Sequence, residues 1–146
     1  LKALLDTNVL ISAFLTNGLC AKLLLRANRD EFLSVTSPFI LKEFRAKLLS
    51  KFHQSKDDAV EAAGLIEEIS LIVDPKALGV EVKGVCVDRD DDAVLATAVA
   101  AEADFMVTGD AELLKIREFR SVRILSPREF EMIMTGRKQG KGRGEG

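Results

Sequence analysis

The chain has 146 residues, 47% hydrophobic and 30% charged, with a formal net charge of −2 and neither Trp nor Tyr. This length fits one domain with its own core. No apolar run reaches the ~20 residues needed to span a membrane, and the missing Trp and Tyr argue against a broad aromatic platform for stacking single-stranded bases.

The charge is unevenly divided. Residues 136–146, GRKQGKGRGEG, hold four Lys or Arg against one Glu, a net of +3, which leaves −5 on the first 135 residues. Such a body repels a polyanion unless a cation or a local basic patch intervenes. Cys20 and Cys86 are the only cysteines and form no C-x-x-C, so both are expected as reduced thiols in a cytoplasmic protein. The only histidine, His53, lies in the polar junction SKFHQSKDD. A Ser-His or Cys-His mechanism has little to build on there, and any chemistry falls to carboxylates.

The elements alternate along the chain. KALLD (2–6) reads as a buried strand of the parallel type. The first strand is thus expected almost at residue 1, with no signal peptide ahead of it. NVLISAFLTN and LCAKLLLRAN read as helices joined near Gly18, and EFLSVTS as a second strand. Ser37 followed by Pro38 is an N-cap with Pro at the first helical position, opening the helix PFILKEFRAKLLSKF. Ser55 opens another, KDDAVEAAGLIEEI. SLIVD is a third strand, closed by Pro75, and residues 75–85 read as a loop with a strand fragment. CVDRDDD leads into the Ala-rich helix AVLATAVAAEA. DFMVTGD is a strand, AELLKI a short helix, VRILS the last strand, and PREFEMIM a final helix started by Ser126-Pro127. From Gly136 the chain reads as a basic, Gly-rich disordered tail, which divides it into a domain at 1–135 and a tail at 136–146. Strands alternating with helices imply an α/β fold with a mostly parallel sheet and helices on both faces. Function in such sheets gathers at the strand carboxyl ends.

Acidic residues recur at that edge. Asp6 ends the first strand, DRDDD (88–92) opens the Ala-rich helix, and Asp110 ends the strand FMVTG. Two like charges ~4 Å apart repel by roughly 4 kcal/mol at an effective dielectric near 20, so converging carboxylates need protons or a cation. Oxygen donors alone favour Mg²⁺ or Mn²⁺. Taken singly, Asp6 and Asp110 also read as helix caps, and the DRDDD acids as ordinary first-turn residues favoured by the helix dipole. Asp92 shares a helical face with Leu95, Ala96 and Val99, so it is expected to point toward protein, with Asp88, Asp90 and Asp91 flanking. Glu43 falls on the polar side of its helix, whose apolar stripe centres on Leu41, Phe44 and Leu48, and by pattern alone is a solvated glutamate.

The segments LLDTNVLISAF, SPFILKEFRAKL and DRDDDAVLATAVAAEADFMVTGDAELL resemble, in type and order, the PIN-domain family. The likeness spans residue 4 to about 130. The resemblance implies a single PIN-like domain that acts as a metal-dependent nuclease of the VapC-like group, the ribonuclease toxins of toxin–antitoxin pairs. It places the acidic site on Asp6, Glu43, Asp92 and Asp110, with Asp91 an alternative to Asp92 one residue away, and supporting hydrogen bonds from Asn8 and Thr108. It implies Mg²⁺ or Mn²⁺ activating a water against an RNA phosphodiester, an antitoxin protein as partner, and a homodimer joined through helices near the N-terminal half. Many toxins of this group carry Asn where Asp110 stands, and the basic tail lies outside the family pattern. Three other readings compete. A haloacid-dehalogenase-type phosphatase wants Asp-x-Asp after the first strand, where this chain has Asp6 and Asn8. A receiver domain wants a lysine after its last strand, and VRILSPREF has none. A non-catalytic PIN-like module binding RNA or a protein would not need all four acids.

Overall fold

The structure is a computed structural model that describes the backbone of residues 1–145 and the side chains through Arg137. Six strands, β1 (Lys2–Leu5), β2 (Leu33–Thr36), β3 (Ser70–Ile72), β4 (Phe105–Val107), β5 (Glu118–Phe119) and β6 (Val122–Leu125), form one sheet in the order β3-β2-β1-β4-β6-β5. Every pairing is parallel except β5 with β6. Seven helices surround it: α1 (Thr7–Leu15), α2 (Leu19–Asn28), α3 (Pro38–Ser50), α4 (Lys56–Ile69), α5 (Arg89–Ala100), α6 (Ala111–Leu114) and α7 (Pro127–Glu145).

The central strands are short and apolar because they are covered on both faces. Ala3, Leu4, Leu5, Val35, Met106 and Val107 are fully buried. The expected caps form: Ser37 Oγ accepts from the Ile40 amide at 3.2 Å and Ser55 Oγ from the Asp58 amide at 3.0 Å, satisfying amides that the first helical turn leaves free. Helix α5 lies across β1, β2 and β4 with Val94, Leu95, Ala96 and Ala98 buried. Its small side chains let it sit close to the sheet.

Helix α7 docks on the first part of the chain chiefly through Phe130 and Glu131. Phe130 is fully buried and meets Phe32 edge-on at 5.0 Å between ring centroids. Arg26 on α2 donates from Nε to Glu131 at 3.1 Å and from Nη1 to Glu31 at 2.7 Å, and its Nη2 also bonds Glu131.

Three features differ from the sequence reading. The strand fragment expected within 75–85 does not form: residues 75–79 are turn and 80–88 are irregular. The short strand β5, unforeseen, pairs antiparallel with β6. Helix α7 is assigned through Glu145, whereas a disordered tail was expected from Gly136; the side chains from residue 138 lie outside the described residues. Among the described residues no single helix is long and apolar enough to cross a membrane.

Candidate metal centre

The parallel register brings the ends of β1 and β4 together. The Asp6 amide donates to the Val107 carbonyl at 3.0 Å, and the Thr108 amide to the Leu125 carbonyl at 2.9 Å. Side chains leaving β1 and β4 are thereby held at one edge. Asp6 is 6% exposed. Its Oδ1 accepts from the Thr7 amide at 2.8 Å, and its Oδ2 accepts from Thr108 Oγ1 at 2.8 Å. It therefore caps α1 with one oxygen and faces the neighbouring strand with the other. Burial nevertheless raises its pKa. The Thr108 and Thr7 bonds oppose that rise, Glu43 adds to it, and Lys47 counters it.

Thr108 ties two acids together. It is fully buried, donates to Asp6, and accepts from the Asp110 amide at 3.1 Å. Asp110 caps the one-turn helix α6, with Oδ1 accepting from the Glu112 amide at 2.8 Å.

The DRDDD cluster divides its labour. Asp92 is 5% exposed, and both its oxygens are occupied by backbone donors, Oδ1 by the Cys86 amide at 2.7 Å and Oδ2 by the Gly84 amide at 3.0 Å. It points into protein as its helical phase requires, but what it meets is the 84–86 loop folded over the start of α5. Asp88 caps α5 through the Asp90 amide at 2.9 Å. Asp91 is the member that faces the other acids. It is half-buried, and its carboxyl is pushed up to about 6, first by burial and then by the charges of Asp110, Asp6, Asp88 and Glu43. No hydrogen-bond donor meets its carboxylate among the described residues.

Glu43 is half-buried on α3 rather than solvated, within reach of the fields of Asp6 and Asp91. Lys47, one turn on, lies 3.9 Å from Glu43 and donates to Asn8 Oδ1 at 3.3 Å. Sequence reading passed over Lys47. Its signal was the i, i+4 spacing from Glu43, which puts the two on one helical face. Cys86 borders the site as a thiol whose pKa is raised to about 12, by burial first and then by its bond and charge interaction with Asp92. His53 sits in the exposed α3–α4 junction. Asp91 and Asp110 thus line one cleft, Asp6 and Glu43 lie within the electrostatic reach of Asp91, and Asp92 is turned to the 84–86 loop. Beside Asp91 and Asp110 the cleft opens into a cavity of about 400 Å³, walled by Val85, Val87, Leu113 and Ile116.

The donor set consists of carboxylate oxygens, which suits a hard divalent cation. Among the described residues no three His, Cys, Asp or Glu side chains are already close enough to share an ion. Even so, a half-buried carboxylate that lacks a donor and faces like charges is an arrangement a cation would complete.

A parallel α/β sheet of this order with acids at its carboxyl edge defines a class, and comparison with known proteins supplies the family. The PIN-domain model matches residues 2–112, and the chain belongs to the PIN-domain family. It is similar to the Methanocaldococcus jannaschii uncharacterized protein MJ1680, with 29% identity over 143 residues and 89% of each chain covered. Two solved structures share the fold. One is VapBC2 from Rickettsia felis bound to a DNA fragment from its promoter (TM-score 0.60, 16% identity, 86% of this chain and 98% of that chain). The other is FitAcB from Neisseria gonorrhoeae (TM-score 0.53, 18% identity, 86% of this chain and 97% of that chain).

Proposed function

We propose that this protein is a metal-dependent endoribonuclease whose divalent ion, Mg²⁺ or Mn²⁺, is held by Asp6, Glu43, Asp91 and Asp110. Family membership supports the nuclease class. The observation that carries the metal assignment is Asp91: a half-buried carboxylate, without a donor, in the field of three other site acids. Asp91 is preferred here to its neighbour Asp92, the residue the resemblance favoured, because its carboxylate meets the charges of Asp110, Asp6 and Glu43, whereas that of Asp92 is turned to the 84–86 loop.

Asp6, Glu43, Asp91 and Asp110 would hold the ion, and the chemistry it would supply there is a lowered pKa for water and a counter-charge for the scissile phosphate. The chain's own groups prepare for that. Thr108 fixes the orientation of Asp6 and, through the Asp110 amide, the distance between two of the acids. Lys47 offsets part of the negative charge near Asp6 and holds Asn8 at the mouth of the site. Asp92 fixes the loop that borders the cleft. The absence of a second aspartate at Asn8 leaves a phosphatase of the Asp-x-Asp type without its acid.

We further propose an antitoxin protein as partner. The support is the family resemblance together with a cleft of acids into which a basic side chain fits as readily as a metal ion. The resemblance also carries a homodimer. An apolar groove of about 280 Å³ between α1, α2 and α4, lined by Phe14, Leu24, Leu25 and Leu65, lies on the N-terminal side where that contact is expected.

The test is cleavage of a mixed single-stranded RNA pool by wild type, Asp6→Asn and Asp91→Asn with Mg²⁺, Mn²⁺ or EDTA. The expected result is metal-dependent cleavage by wild type and a loss on the order of 10²–10⁴ in both variants. Cleavage that persists in EDTA, or equal cleavage by all three proteins, would overturn the reading.

A further inference from the structure

The acidic body leaves a difficulty for a nuclease, since a phosphate chain must approach a cleft of carboxylates. The far side of α6 offers the means. Residues 115–128, KIREFRSVRILSPR, contain Lys115, Arg117, Arg120, Arg123 and Arg128 against the single acid Glu118. All five cations are exposed. Lys115 pairs with Glu112 at 3.0 Å, whereas none of the four arginines enters an ion pair among the described residues.

The patch is held in place rather than trailing in solvent. The Arg120 guanidinium lies 5.0 Å from the centre of the Phe119 ring, and that of Arg123 lies 5.5 Å from the centre of the Phe105 ring, contacts that restrain a planar cation. The backbone carrying it is unusual. Arg117, Arg120 and Ser121 have φ of 65°, 46° and 70°, a region that residues with a Cβ rarely adopt. Arg120 and Ser121 are the two residues of the β5–β6 hairpin turn, a turn that takes positive φ at both positions and fixes where the Arg120 side chain starts. Arg117 and Arg123 face one cavity of about 390 Å³ that Leu114, Glu118 and Glu129 also line. The Glu129 carboxyl is held below its usual range by its bonds to Ser126 first, and then by the charges of Arg117 and Arg123. Glu118 and Glu129 offset part of the positive field, but four arginines remain.

Its position relative to the acids is fixed by α6. Leu113 and Ile116 wall the cleft beside Asp91 and Asp110, and Leu114 walls the arginine cavity. Helix α6 stands between the two, with Asp110 at its start and Arg117 three residues beyond its end; Arg123, level with Phe105 at the start of β4, and Arg120, in the turn before β6, lie toward the amino ends of the strands, and Arg128 follows β6 at the carboxyl edge where the acids lie.

We propose that Arg117, Arg120, Arg123 and Arg128 form a track that runs along the β5–β6 hairpin from its turn to the carboxyl edge and binds the phosphate backbone of single-stranded RNA leading to the acidic cleft. The choice of RNA rests on the nuclease reading above; the track itself rests on the charge and geometry of this edge. It brings phosphates to the cleft from a side where they are attracted, so that the acids need accommodate only the one phosphate at the metal.

The experiment measures binding apart from turnover. Asp6→Asn protein in EDTA is titrated with a fluorescent 12-nucleotide mixed-sequence RNA over a range of NaCl concentrations. It is compared with the same protein carrying Arg117→Gln, Arg120→Gln and Arg123→Gln, and with a control carrying Lys42→Gln, Lys51→Gln and Lys56→Gln. Each phosphate contact on a single strand contributes about 0.7 to the slope of log affinity against log salt. The arginine triple is expected to lose about 2 from that slope and at least tenfold in affinity at ~100 mM salt, and the lysine triple to lose less than half as much of each. Should the arginine triple melt early, Arg117→Gln and Arg120→Gln singly are each expected to lose about 0.7. Equal slopes for the two triples, no measurable RNA binding by the parent protein, or equally tight binding of duplex DNA through the same arginines would overturn the proposal. Wild-type cleavage run in parallel separates the two claims. Cleavage with an unchanged slope removes the track and leaves the nuclease, and a lost slope without cleavage removes the nuclease and leaves an RNA-binding edge.

Discussion

Asp6 does two things that compete in most proteins. One oxygen caps α1 and the other is bonded by Thr108, yet burial and Glu43 still disfavour its charged form. A carboxylate placed so is poised to gain from a cation. Two nearby hydroxyls are less well served. Thr7 Oγ1 and Thr36 Oγ1 are buried without a hydrogen-bond partner, and a buried hydroxyl left unmatched costs about 1–3 kcal/mol. Thr36 ends β2 at the same carboxyl edge but has no part in the acid cluster. Thr36→Val keeps its shape and removes the hydroxyl, so it is expected to raise stability by about 1 kcal/mol and the melting temperature by about 3 °C. A melting curve checks this, and a lowered Tm would show that the hydroxyl has a partner in solution. Which acid of DRDDD enters the cluster could not be read from the chain. Helical phase sends Asp92 into protein, and the structure agrees. What phase does not disclose is that the 84–86 loop, eight to six residues upstream, would bond its carboxylate.

The pairing of α2 with α7 shows how one charged contact can govern the docking of an element. Arg26 and Glu131 have side chains only 10% and 13% exposed, and Glu31 completes the guanidinium's contacts. The Glu131 carboxyl is held below its ordinary 4.5, by its hydrogen bonds to Arg26 first. Because its folded pKa lies below the unfolded value, the stability it contributes is fully present above ~4.5 and is lost as pH falls through the folded pKa. Glu131→Gln is therefore expected to cost about 2 kcal/mol near neutral pH, as for a charge-assisted bond between largely buried groups, with the gap to wild type narrowing below pH ~4.5. Urea denaturation at several pH values measures it; a gap independent of pH would mean that the contact acts by packing alone. Elements with local signals were legible. Ser37-Pro38 and Ser55 began helices, and β1, β2, β4 and β6 read as apolar runs. The β5–β6 hairpin was not, because its turn uses Arg120 and Ser121 at positive φ where Gly or Asn is the usual mark. The expected strand in 75–85 failed because Val80 and Val82 add to the core from irregular chain rather than by pairing with the sheet.

Across the whole molecule, charge is arranged in two neighbouring zones. Carboxylates occupy the carboxyl edge of β1 and β4, and arginines the β5–β6 hairpin beyond α6, which reaches from that edge to the amino ends of the strands. The fold explains the first zone. A parallel sheet aligns strand ends that lie about 100 residues apart in sequence, Asp6 and Thr108 being separated by 102 positions. The central claim is that Asp6, Glu43, Asp91 and Asp110 hold a divalent ion while Asp92 holds a loop. Binding of Mn²⁺, followed by its electron paramagnetic resonance signal in wild type, Asp91→Asn and Asp92→Asn, addresses it most directly. Wild type and Asp92→Asn are expected to bind within about threefold of each other, and Asp91→Asn at least tenfold more weakly, a difference of ~1.4 kcal/mol or more. Mn²⁺ binding that survives Asp91→Asn and disappears with Asp92→Asn, in proteins with unchanged melting curves, would contradict it.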